Sequence, residues 1–257
     1  MKKNALALVS LLAMYSCIEN NHLEEVQIPE PEVIVQTKFA NPNDFKATGL
    51  PFKLTSIDYT FEDFPDFIDG KTFEFHYTRV YLNFTNNLNK WVTEKNWETK
   101  KVSQICREIN PEDKTFLHTA GGFYNHTLFF ENLTPKKDSK RSTDLEAAIV
   151  RDFGSFTNFK NQFIEKSIAT IGSNWVWLIV NNNQKLEIVT TLNEENPLMQ
   201  HSATKGTPLL CLDLWEHAYL LNEKPSKKNY IDSFFNYINW EKVSEKYEIF
   251  IPISPQP

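Results

Sequence analysis

The chain has 257 residues and a formal net charge of -6. An acidic balance argues against a general nucleic-acid binder, which shows a basic face, so any attraction of an anionic substrate has to be local. With 41% hydrophobic and 14% aromatic residues the chain can bury a substantial core in one or two domains, and beyond its first residues no window is long and apolar enough for a membrane helix.

Lys2 and Lys3 precede an apolar run over residues 5–15, and Ser16-Cys17 follows. Basic, then apolar, then small is the order of an export signal, too short to span a bilayer. A cysteine directly after it resembles the bacterial lipoprotein signal, in which that residue is lipidated. The alternative is an ordinary cleaved signal with Cys17 incidental. The expectation is an exported protein of the periplasm or cell surface, attached to the membrane through a lipid anchor only. Residues 18–49, rich in Glu, Pro and Asn and without periodicity, are expected to form a flexible tether. Cys106 and Cys211 remain, and one possible pair is no disulfide framework. Cys211 lies in an apolar run and reads as a core thiol.

The body begins near residue 50. Residues 50–68 carry scattered aromatics with Pro51 and Pro65 and are expected to be extended. Asp69-Gly70-Lys71-Thr72 supplies turn and capping residues. Phe73, Tyr77, Val80, Tyr81, Phe84, Leu88 and Trp91 then recur at spacings of three and four, the stripe of a buried helix that includes His76. A second helix carries Phe116, Phe123, His126, Phe129 and Phe130. Gly122 falls one turn before His126 on the same face and is expected to leave open space beside that imidazole. A Lys/Ser-rich stretch over 135–143 marks the boundary between an N-terminal domain at 50–137 and a C-terminal domain at 138–257. There the pattern predicts helices over 145–153 and 156–168, strands over 174–180, 185–191 and 208–212, and helices over 231–237 and 240–247. The fold class expected is α+β: a helical hairpin followed by an α/β domain with a three-stranded antiparallel sheet.

The third strand runs into Asp213-Leu214-Trp215-Glu216-His217-Ala218-Tyr219. A strand end entering a helical turn lets Asp213 and His217 converge on one cation, and His76 and His126 are available from the first half. Three imidazoles and a carboxylate, with room for water, suit iron or manganese better than a closed zinc site. This segment, with Thr72-Phe73-Glu74-Phe75-His76-Tyr77, Gly121-Gly122-Phe123-Tyr124-Asn125-His126-Thr127 and Gly172-Ser173-Asn174-Trp175-Val176-Trp177, resembles the iron/manganese superoxide dismutase family over residues 52–249.

The resemblance implies dismutation of superoxide at one iron or manganese ion per subunit, held by His76, His126, Asp213 and His217. It implies a cavity walled by Trp175, Trp177 and Trp215, and a homodimer in which Glu216 accepts a hydrogen bond from the other subunit's equivalent of His217. It also exposes departures. The family's polar gate, a histidine and a tyrosine one and two turns after the first ligand, is Val80 and Phe84, and its partner tyrosine is Leu220. These changes agree with one another, since an apolar Val80 would strand a buried hydroxyl. Glu194 stands where manganese members supply a glutamine to metal-bound solvent. Ionised, it can only accept a hydrogen bond; neutral, it can donate one. Lys227 replaces an arginine near the funnel that steers the anion. His22, His118 and His201 match no ligand position. The altered gate leaves a second reading open, a dimeric metal-binding lipoprotein of the same fold with weak or no dismutation.

Overall fold

The computed structural model of the protein describes residues 39–222 and 225–250. Cys17, His22 and the whole export signal lie outside the described residues. The first long helix is made of three consecutive stretches: α1 (Gly70–Phe75), a π-helical segment (His76–Tyr81) and α2 (Leu82–Lys95). Asp69 caps its start, accepting from the Thr72 backbone N–H at 2.9 Å, and Asn96 ends it in the left-handed region with φ 56°. Phe73, Tyr77, Tyr81, Phe84 and Leu88 are buried as the spacing predicts, while Val80 and Trp91 are half-buried. The widened π turn is not visible in the period. Such turns occur often at functional sites, and here it starts on His76.

After a short α3 (Val102–Glu108), α4 (Lys114–Glu131) packs antiparallel-hairpin fashion against α2. Then follow α5 (Thr143–Phe153) and α6 (Phe156–Ala169), each capped by a serine, Ser142 and Ser155. The sheet is antiparallel with order β2-β1-β3, built from β1 (Asn174–Asn181), β2 (Leu186–Leu192) and β3 (Gly206–Asp213). The central strand β1 is buried along nearly its whole length, as its unbroken apolar run requires. Pro208, which has no N–H to donate, sits in β3 at the sheet edge beside a register shift at Leu178/Ile179. The chain closes with α7 (Lys227–Phe234) and α8 (Trp240–Glu248). This is the α+β architecture expected, a helical hairpin and an α/β part with a three-stranded antiparallel sheet.

Two side-chain amides tie these layers together. Asn132, at the end of α4, accepts from the Cys211 N–H at 3.1 Å and donates to the Leu209 carbonyl at 3.2 Å, which fixes the helix on β3. Asn89 donates to the carbonyls of Thr48 (3.0 Å) and Phe52 (2.9 Å). Residues 39–49, expected in the tether, are therefore held on the body. Asn43 adds a bond to the Ile57 carbonyl at 2.7 Å. These anchors are side chain to backbone, so they leave no periodicity to read.

Candidate metal centre

Each ligand side chain is placed by a different piece of backbone. His76 opens the π turn and is fully buried. His126 lies on α4, where its Nδ1 donates to the Gly122 carbonyl at 2.7 Å; that bond sets the tautomer and leaves Nε2 with its lone pair. Asp213 ends β3. Its Oδ1 accepts from the Trp215 N–H at 2.8 Å, which turns Oδ2 toward the imidazoles. His217 comes four residues later in a single 3₁₀ turn, Glu216–Ala218.

The four meet. Asp213 Oδ2 is 3.1 Å from His217 Nε2, 3.2 Å from His76 Nε2 and 3.6 Å from His126 Nε2, and the four ligand atoms lie within 4.8 Å of one another. Two donors bound at about 2.1 Å to one ion stand about 3 to 4.2 Å apart, so the Asp213 separations suit a shared cation. The polar bookkeeping agrees. His76 Nε2 and His126 Nε2 are buried without a hydrogen bond, a costly state for a polar atom unless a metal takes the lone pair. His76 Nδ1 also lacks a partner, so the outer acceptor expected for every ligand histidine is present for His126 and absent for His76 among the described residues.

Electrostatics point the same way. Burial lowers the His76 imidazole to about 4, against a smaller opposing pull from Asp213. Burial also takes His126 well below its ordinary range. Burial alone would raise the Asp213 carboxyl, yet His217 and His76 together hold it below the usual carboxylate range. At neutral pH the centre is an anion facing two uncharged buried imidazoles. His217 and His76 already favour that charge in the fold, and a divalent or trivalent metal ion would pair with it directly.

Aromatic rings close the walls. Trp175 stands edge-on to His126 with centroids 5.1 Å apart, Trp215 stacks on His217 at 5.6 Å, and Phe129 lies 5.3 Å from His76. Trp177, expected among these walls, stands one step back: it packs on Trp175 at 5.8 Å and donates Nε1–H to Thr191 Oγ1 at 2.9 Å. Gly122 does not leave open space. A Cβ there would come 2.3 Å from Phe84 Cε1, because the Phe84 ring fills that volume and lies 5.1 Å from the His126 ring. Val80 is half-buried and Leu220 is exposed. Glu216 is exposed in the single chain. The Lys227 ammonium donates to the Thr170 carbonyl just past α6, where its charge serves a helix C-terminus.

Glu194 is buried, delivered by the loop after β2 in which Asn193 takes φ 50°. Its Oε2 accepts from Asn125 Nδ2 at 3.2 Å, and Asn125 Oδ1 in turn accepts from Asn196 Nδ2 at 3.2 Å. Burial, and then the charge of Asp213, push the Glu194 carboxyl well above its ordinary value, with Asn125 opposing. A neutral Glu194 can donate as a glutamine does. Sequence reasoning assigned Asn125 and Asn196 no role. The only sign was an amide within the apolar stretch before His126. At Gly121 a Cβ would fall 1.9 Å from the Glu194 carbonyl oxygen; only glycine lets α4 come this close to the loop.

A helical hairpin and an α/β part that together gather three histidines and an aspartate around one point define a metal-binding protein. The sequence matches the alpha-hairpin domain of iron/manganese superoxide dismutases over residues 51–134 and their C-terminal domain over residues 141–246. It is 38% identical over 206 residues, 79% of this chain and 87% of the relative, to the superoxide dismutase [Mn] of Acinetobacter baylyi. The chain belongs to the iron/manganese superoxide dismutase family.

Proposed function

We propose that the protein is a superoxide dismutase holding one iron or manganese ion per subunit and converting superoxide to oxygen and hydrogen peroxide. The observation that carries this is the convergence of the His76, His126 and His217 Nε2 atoms on Asp213 Oδ2. Held by these four side chains, iron or manganese would supply one-electron redox chemistry between its 3+ and 2+ states. The chain does the rest. Asp213 supplies the negative charge that retains the cation, and the Gly122 carbonyl keeps His126 in the ligating tautomer. Glu194 places a carboxyl able to hold a proton beside the centre, its titration pushed up by burial. Trp175, Phe129 and Trp215 exclude bulk water. Gly122 on the helix with Glu194 on the sheet side resembles the arrangement of manganese members, and the curated relative is named for manganese.

The working unit we propose is a homodimer, supported by the retention of Glu216 at an exposed position next to His217. Export and a lipid anchor at Cys17 are supported by the order of residues 2–17. The test is to purify the chain from residue 18 onward, measure bound iron and manganese, and assay superoxide removal per metal ion. Turnover abolished by His126→Ala is the expected result. Full metal with negligible turnover would select the non-catalytic metal-binding protein instead.

A further inference from the structure

Val80, Phe84 and Leu220 carry no titratable proton, yet dismutation of two superoxide ions consumes two protons. Glu194 is buried and cannot recharge from solvent directly, and the Tyr81 hydroxyl is bonded to Thr127 Oγ1 at 2.8 Å and is in contact with Thr55. One imidazole stands where the apolar positions leave off. His118 lies about two turns before His126 on α4, with its side chain exposed. Its ring meets the Phe84 ring edge-on at 5.1 Å and lies 6.5 Å from Trp215. Phe84 covers His126, and Trp215 covers His217. His118 thus bridges, at the surface, the two rings that shield two of the metal ligands. It is the one titratable side chain besides His126 in ring contact with Phe84 among the described residues.

Resting on the dismutase reading above, we propose that His118 is the proton relay at the mouth of the metal centre, supplying from α4 what the family's polar pair supplies from the first helix. The overall step is 2 O₂⁻ + 2 H⁺ → O₂ + H₂O₂. The imidazolium N–H bond of His118 breaks as its proton passes to water leading inward past Phe84. The neutral ring then takes a proton from bulk buffer, and no electron passes through it. Exposure to solvent is what allows the recharging. Contact with Phe84 and Trp215 makes release easier, because partial desolvation lowers the ring's basicity. Lys114 on α4, Lys90, Glu94 and Lys95 on α2 and Glu216 beside Trp215 are the charged groups on the neighbouring elements, and none of them shifts it.

The experiment uses the metal-loaded chain and its His118→Gln and His118→Ala variants, with metal content checked and superoxide decay followed from about pH 5 to about pH 9. The parent's maximal turnover should fall as pH rises through the His118 titration, and both variants should lose that step. Their kcat should fall on the order of ten-fold with kcat/KM little changed, and added imidazole should restore turnover in His118→Ala. An active parent whose variants keep its turnover and pH profile would overturn the relay alone, as would failure of imidazole to rescue. A metal-loaded parent without turnover would overturn the dismutase reading and the relay with it.

Discussion

His76 Nε2 and Asp213 Oδ2 stand 3.2 Å apart, joining the π turn of the first long helix to the last residue of the sheet. Both side chains are fully buried and the imidazole is held neutral, so His76 Nε2 has a lone pair to offer a cation. Asp213→Asn keeps the shape and removes the charge. The variant should bind iron or manganese more than about 100-fold more weakly, because loss of an outer-sphere partner alone costs 10- to 100-fold. Its metal-free form should melt lower than the metal-free parent at neutral pH, since His217 and His76 favour the ionised Asp213 in the fold. A higher melting point for the metal-free variant would show that Asp213 is not compensated within the chain.

The two glycines of α4 should differ in what an added methyl costs. At Gly122 the obstacle is the Phe84 ring, which can turn aside, so Gly122→Ala should cost about 1–3 kcal/mol and be relieved by Phe84→Leu. At Gly121 the obstacle is the Glu194 carbonyl oxygen at 1.9 Å, fixed in the backbone of a packed loop. Gly121→Ala should cost more, and Phe84→Leu should not help it. Denaturant midpoints of the four variants measure this directly, and equal costs at the two positions would contradict it.

Glu194 makes stability depend on pH in a defined direction. Its carboxyl titrates well above 4.5 in the fold, so between 4.5 and the folded value the native state binds more protons than the unfolded chain. Its contribution is complete below 4.5 and is lost as pH rises, by at most about 1.4 kcal/mol per pH unit. Glu194→Gln carries no such dependence. The stability advantage of the variant over the parent should widen from about pH 5 to about pH 8. A gap that stays constant would mean that Glu194 is ionised in the folded protein.

Restoring the polar gate should speed the reaction. Val80→His with Phe84→Tyr returns a hydroxyl to the ring beside His126 and gives it a partner, so no buried donor is stranded. Turnover at saturating superoxide should rise on the order of ten-fold, the scale of a modest proton-transfer contribution. If the doubly altered, metal-loaded protein runs at the parent rate, the apolar gate is not what limits proton delivery.

The amino-acid order by itself determined the helical hairpin and the three antiparallel strands, through the three-and-four spacing around His76 and His126 and the unbroken apolar run of β1. The four ligands were named by the resemblance of their segments to the family, since spacing alone leaves a histidine on an apolar face an ordinary core residue. The tertiary structure alone decided what those signals cannot hold. It put the Phe84 ring in the space Gly122 vacates, set Trp177 behind Trp175, turned Lys227 onto Thr170 and drew residues 39–49 onto the body through Asn43 and Asn89. It also opened the π turn at His76 and hung Glu194 on Asn125 and Asn196. The physical reason is the same each time. Periodicity reports which face of an element is apolar, whereas a side chain's neighbours depend on elements far away in the chain and on single hydrogen bonds and ring contacts that leave no repeat.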